Sequence, residues 1–178
     1  NQLTTSVNDM NETLEQVPQK LAQMNWAKDW EGHNMLDVQL LMSPVSGQAN
    51  PIAPPLHINI DDEDEVVRAE VNMGWQYEGP PGCVHGGFIA ALFDEMLGLT
   101  QLKAKNPGMT GELKVRYQRP TPLAETLTFE AQVERAEGRK TFVTAVLKHQ
   151  DTVTASCEAL FIRPKQSPTK TLREKQSS

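Results

Sequence analysis

Apolar positions change their period several times along this chain, and each change marks a different element. In residues 1–25 they are sparse: Val7, Met10, Leu14, Val17, Leu21 and Met24 stand three or four apart, a narrow helical stripe that Pro18 interrupts. One or two helices packed on the domain or on a partner chain are expected there. Trp26 and Trp30, four apart, share a face if that helix continues, and are expected to pin the arm to the core, with a lid over an acyl chain as the other reading. Pro44, Gly47, Pro51, Pro54 and Pro55 then read as a loop. Residues 56–60 and 67–71 alternate apolar and polar side chains on either side of the acidic run 61–65. That is a hairpin with a charged, solvated tip.

Residues 88–99 are apolar on nearly every side, the pattern of a helix buried all round rather than a surface helix. Asn106-Pro107-Gly108 breaks the chain, and four alternating runs follow: 110–119, 126–134, 140–148 and 153–162. In the first, Leu113, Val115 and Tyr117 share one face while Lys114, Arg116 and Gln118 share the other. In the second, Leu127, Phe129, Ala131 and Val133 face inward. Glu137-Gly138 and Gln150-Asp151 mark turns short enough for antiparallel neighbours. Two strands, one long apolar helix and four strands predict an α+β fold, with the helix laid across a single antiparallel sheet. The expected organisation is an N-terminal arm and loop over 1–50, one domain over 51–163, and a polar, disordered tail over 164–178 after Arg163-Pro164 ends the last strand.

Composition narrows the function classes. A net charge of −6 argues against nucleic acid as the main partner, while leaving room for a local basic patch that meets a phosphorylated small molecule. Cys83 and Cys157 are the only cysteines, too few for a disulfide framework, and fit a reducing, cytoplasmic setting. No apolar run approaches the ~18–20 residues that a membrane span needs. The first residues lack the basic-then-apolar order of a secretory signal.

The chemistry concentrates between Pro80 and Glu95. A Pro/Gly turn leads into His85-Gly86-Gly87 at the start of the apolar helix, and Asp94 lies in its middle. Paired glycines at a helix mouth let backbone N–H groups approach a ligand closely, and those groups lack intrahelical partners. They are suited to a developing negative charge. Ionising Asp94 in a buried helix is costly, so it has either a task or an arginine partner. Glu95 points about 100° away and reads as a surface or dimer contact. His33, His57, His85 and His149 are scattered and no Cys-x-x-Cys occurs, so no metal set is expected. Cys83 has no base beside it in sequence to make it a nucleophile. Nucleotide-binding Gly-rich fingerprints are absent from the sequence.

Eight residues separate Gly86 from Asp94, ~12 Å along a straight helix, whereas a reacting carbonyl must lie ~3 Å from both donor and base. A site shared between two copies, Gly86 from one and Asp94 from the other, follows from that spacing.

His85-Gly86-Gly87, Asp94 nine residues after the histidine, Thr110, the Tyr117-Gln118-Arg119-Pro120-Thr121-Pro122-Leu123 stretch and Glu137-Gly138-Arg139-Lys140 together resemble the hotdog-fold acyl-CoA thioesterases. The phenylacetate-pathway and animal mitochondrial long-chain groups are the most similar, over residues 52–163. The resemblance implies a central helix wrapped by a curved antiparallel sheet of five to six strands, with two chains pairing their sheets edge to edge as a homodimer or dimer of dimers. It implies hydrolysis of a fatty or aromatic acyl-CoA to free acid and coenzyme A, with no metal or redox cofactor, coenzyme A being part of the substrate. By the same resemblance the Gly86 amide is the oxyanion hole, His85 braces the turn, Asp94 is nucleophile or general base, and Thr110 orients water or carboxylate. Gly87 lies beside the substrate, and Arg116, Arg139 and Lys140, with Arg119 as a weaker candidate, meet the coenzyme A arm and phosphates. One position departs: some relatives carry Asn six residues before the histidine, where this chain has Gly79, so Gln76 or a backbone group must supply any second donor. Two other readings stand beside this one: a hotdog hydratase or dehydratase, and a non-catalytic acyl-CoA-binding module.

Overall fold

The computed structural model of the chain describes residues 43–47, 50–60 and 64–165. The expected arm, with Trp26 and Trp30, and the tail beyond Lys165 lie outside the described residues.

The alternating runs form strands in the expected order. Strand β1 (His57–Asn59) pairs antiparallel with β2 (Val66–Asn72), His57 opposite Glu70. A 3-10 turn (Trp75–Tyr77) leads to helix α1 (Gly86–Thr100), and a second 3-10 turn (Gln101–Ala104) leads out of it. Strands β3 (Met109–Tyr117), β4 (Thr126–Glu137), β5 (Lys140–His149) and β6 (Thr152–Ile162) complete one six-stranded sheet in the order β1-β2-β4-β5-β6-β3. Every neighbouring pair is antiparallel. The β4–β5 turn uses Gly138 at φ +59°, a left-handed conformation that glycine adopts without a Cβ penalty.

Because β4 returns beside β2, the intervening α1 carries the chain across the sheet's inner face to its far edge, where β3 lies. The helix docks through Ile89, Leu92, Phe93, Met96, Leu97 and Leu99. Beneath it Ala131, Ala145, Ala155, Cys157 and Ala159 form a shallow floor that leaves room for those larger side chains, and Phe93 meets Phe129 edge-on at 5.2 Å. Each such burial is worth about 1.5–3 kcal/mol, enough together to fix the helix by that face. Three register shifts, at Gly111 in β3, near Glu134 in β4 and near Thr154 in β6, bend the sheet around it.

The expectation of a helix buried all round is corrected in the single chain. Gly87 and Asp94 are exposed, and Ala90, Ala91 and Gly98 are only partly covered. At spacings of three and four these residues make one open stripe. Glycine and alanine count as apolar in a pattern, but their small side chains carry little surface to bury, so hydrophobicity alone could not locate this face.

Candidate active site

The mouth of α1 is held by short-range hydrogen bonds that its turn residues make possible. Gly79 N–H donates to Cys83 C=O at 2.9 Å, and Gly82, at φ +75°, donates to Glu78 Oε1 at 2.7 Å. His85 N–H donates to Tyr77 C=O at 2.8 Å and Val84 N–H to Thr121 C=O at 2.8 Å, which ties the turn to both flanking segments. His85 then caps the helix. Its backbone is extended (φ −63°, ψ 130°) and its Nδ1 accepts the Gly87 N–H at 3.0 Å, a task more often given to Ser, Thr, Asp or Asn. An accepting Nδ1 carries no proton, so the neutral ring holds its proton on Nε2.

With Gly87 committed to the cap, the Gly86 N–H has no acceptor among the described residues. It stands at the positive end of α1, beside an open cleft of about 440 Å³ lined by Pro80, Cys83, Ile89, Tyr117 and Arg119. Gly86 C=O accepts a hydrogen bond from the Tyr117 hydroxyl at 2.7 Å. Tyr117, half-exposed, was legible in the sequence as one of three side chains sharing a face of β3 and as the start of the stretch 117–123, with no role of its own at the site.

Asp94 lies two turns further on. It is exposed rather than buried in the single chain, and its partner is a hydroxyl, not an arginine: Thr110 Oγ1 donates to Asp94 Oδ1 at 2.8 Å. Strict alternation along β3 would put Thr110 on the face of Lys114 and Arg116, away from the helix. The bulge prevents that. Thr110 pairs with Phe161 and Glu112 with Leu160, so Gly111 is the extra residue and Thr110 turns to the helix side. Beneath them lies Cys157, buried, its thiol pushed up to about 12 first by burial and then by the charge of Asp94. It is a neutral packing residue.

The other expected site residues fall into two groups at opposite ends of the sheet. Arg116, opposite Ser156, stands on the outer face, away from α1. Arg119 follows at the rim of the cleft, its N–H and that of Gln118 both donating to Thr154 C=O at 3.0 and 2.8 Å. Both arginines belong to the Gly86 end. Arg139 and Lys140 lie at the Asp94 end: Arg139 Nη1 donates to Arg163 C=O at 2.9 Å, and Lys140 pairs with Ile162, itself opposite Met109. Glu95 accepts from Ser46 Oγ, a contact within the chain that joins the helix to the loop before β1. A Cβ at Gly79 would stand 2.8 Å from His85 Cα, so no side chain fits there and no donor comes from that position. Gln76 is exposed, its amide lying against Gly74. Among the described residues no group of three or more His, Cys, Asp or Glu could hold a metal ion. No helix among them is long and apolar enough to cross a membrane.

A six-stranded antiparallel sheet curved about one central helix is the hotdog fold. The thioesterase superfamily pattern matches residues 81–156. A solved thioesterase superfamily protein is 35% identical with a TM-score of 0.66, over 84% of this chain and 82% of its own. Acyl-coenzyme A thioesterase THEM4 of Mus musculus is 34% identical over 99 residues, 56% of this chain and 43% of that protein. The chain thus spans about two-fifths of the length of such curated relatives. The smu.793 protein of Streptococcus mutans UA159, solved bound to acetyl CoA, shares the fold at 18% identity and a TM-score of 0.56, over 63% of this chain and 91% of its own. The chain belongs to the thioesterase superfamily.

Proposed function

We propose that the protein hydrolyses a fatty or aromatic acyl-CoA to the free acid and coenzyme A, in a site that two copies share. The observation that carries this reading is the placement of two complementary groups on one open stripe of α1: the unpaired Gly86 N–H at its mouth and the Thr110-bonded Asp94 two turns on. The Gly86 N–H is a donor for the oxyanion that forms when the thioester carbonyl is attacked. Asp94, held by Thr110 through Oδ1, keeps Oδ2 for a proton or a carbon. As base, it takes a proton from water while the water oxygen bonds to the carbonyl carbon; collapse of the tetrahedral adduct expels the thiolate of coenzyme A, which takes up a proton. As nucleophile, its Oδ2 bonds to that carbon, the adduct expels the thiolate of coenzyme A to leave a mixed anhydride, and water cleaves the anhydride to the free acid and the Asp94 carboxylate. The names of the THEM4 relatives and the acetyl CoA bound to the streptococcal protein support this substrate class.

One chain separates the two groups by ~12 Å of helix. The edge strand β3 supplies a way to join them. Tyr117 touches Gly86 at one end of β3 and Thr110 touches Asp94 at the other. Antiparallel pairing of β3 with a second β3, about a two-fold at Lys114, sets Leu113 opposite Val115 of the partner subunit and, with Gly111 as the extra residue, brings Tyr117 opposite Thr110 of the partner subunit. Both helices then lie on the same side of the joined sheet, their Gly/Ala stripes facing, with Gly86 near Asp94 of the partner subunit. Arg119 likewise approaches Arg139 and Lys140 of the partner subunit, a basic set suited to the phosphates of coenzyme A. Gly87, committed to the cap, shapes the mouth rather than donating to substrate.

The test is free-thiol release from a panel of acyl-CoAs, short to long and including phenylacetyl-CoA, with Asp94→Asn beside the parent. The parent is expected to release thiol and the variant to lose about 10²–10⁴ in kcat, since the amide can neither take a proton nor attack. Silence across the panel, or full activity in Asp94→Asn, overturns the reading.

A further inference from the structure

Two successive glycines make the mouth of α1 the part of the helix with the greatest conformational freedom. An oxyanion donor placed there is effective only if its direction is fixed before the charge develops. His85 fixes Gly87 through its N–H, but that bond does not reach Gly86, whose own N–H has no acceptor among the described residues. Gly86, the first residue of the helix, also takes on its carbonyl a contact from another element. Tyr117 Oη donates to Gly86 C=O at 2.7 Å, and three atoms of the phenol (Cε1, Cζ and Oη) lie 3.4 Å from where a Cβ of Gly86 would stand.

The phenol is itself held on a fixed frame. Beyond Tyr117 the chain is clamped by two N–H groups, of Gln118 and Arg119, on the single carbonyl of Thr154. Partial burial pushes the Tyr117 hydroxyl up from its ordinary value, with the Cys157 thiol adding to that, so it remains a protonated donor at neutral pH. Tyr117 is still half-exposed, and its ring does little of the core's packing.

We infer that Tyr117 is a positioning residue for the thioester reaction: its bond to the Gly86 carbonyl holds the helix mouth so that the Gly86 N–H keeps its aim at the substrate's carbonyl oxygen. The inference rests on Gly86 being the oxyanion donor. Misdirecting such a donor by about 1 Å is enough to cost on the order of 10²-fold in rate, while substrate contacts elsewhere are untouched.

Tyr117→Phe keeps the ring and removes only the hydroxyl. Thiol release is measured for parent, Tyr117→Phe and Asp94→Asn on the best acyl-CoA of the panel, with thermal unfolding of each. The expected result is a kcat lowered about 10–100-fold with KM within about twofold and an unfolding temperature close to the parent's. A kcat within about twofold of the parent overturns the role of Tyr117 while leaving the thioesterase reading intact. So does a rise in KM that accounts for the whole loss, which marks a substrate contact, or a drop of several degrees in unfolding temperature with kcat and KM affected alike, which marks a stabilising one. An inactive parent overturns both.

Discussion

At the scale of single residues, identity sets the chemistry and neighbours set the state. His85 illustrates this: a histidine before two glycines reads as a turn brace, and it serves as the helix cap because its Nδ1 lies within reach of the Gly87 N–H. Cys157 illustrates the reverse. Its sequence says only thiol, while burial under the helix and the nearby Asp94 carboxylate push it up to about 12. Below about pH 9 the thiol is protonated folded or unfolded and contributes nothing to pH dependence; between about 9 and about 12 the unfolded chain releases a proton that the folded one keeps, so stability falls as pH rises. At pH 8, then, a thiol reagent is expected to modify the partly exposed Cys83 in the native protein and to reach Cys157 only after denaturation. Two equivalents of rapid native labelling would show Cys157 to be open.

At the scale of elements, β3 shows how one extra residue redirects chemistry. The alternation of Leu113, Val115 and Tyr117 was legible, and with it the face that meets the helix. The side on which Thr110 falls was not, because a bulge breaks the period and its position depends on pairing with β6. Gly111 is suited to that place: a Cβ there would sit 2.9 Å from Ile162 Cδ1. Gly111→Val favours regular pairing, which would turn Thr110 to the outer face; kcat is expected to fall by about tenfold or more with the fold retained. Deleting Gly111 removes the extra residue but leaves Thr110 opposite Phe161, so it is expected to preserve more activity than the valine variant. Equal activity of the two chains would separate the bulge from catalysis. Helix α1 carries the same lesson. Its large side chains announced a buried face, and its Gly/Ala positions concealed an open one.

At the scale of the whole molecule, the proposed site has its two parts at opposite ends of α1, and β3, an edge strand among the described residues, is where a second copy would join them. Gly86→Pro tests this without disturbing the helix, since proline is well tolerated at the first helical position and the extended His85 suits the residue before it. The substitution removes the N–H and is expected to abolish thiol release. Mixing Gly86→Pro with Asp94→Asn after reversible unfolding should restore up to about a quarter of the parent's activity, because half the dimers are mixed and each mixed dimer holds one intact site of two. No recovery, with mixed dimers demonstrated by a tagged chain, would confine the site to one subunit.

Sequence by itself determined the order and kind of the elements between residues 56 and 162, because strand alternation and a bulky apolar helix are local patterns that burial enforces. It also singled out the candidates for the chemistry, His85-Gly86-Gly87 and Asp94. Only the tertiary structure decided how those residues are presented: Asp94 in the open and bonded to Thr110, Gly86 braced by Tyr117, Gly79 denied a side chain by the close approach of His85, and Arg116 turned to the outer face. These outcomes depend on strand register, a bulge and contacts between distant segments. Such properties are set by pairing and packing across the whole sheet, and no local period records them.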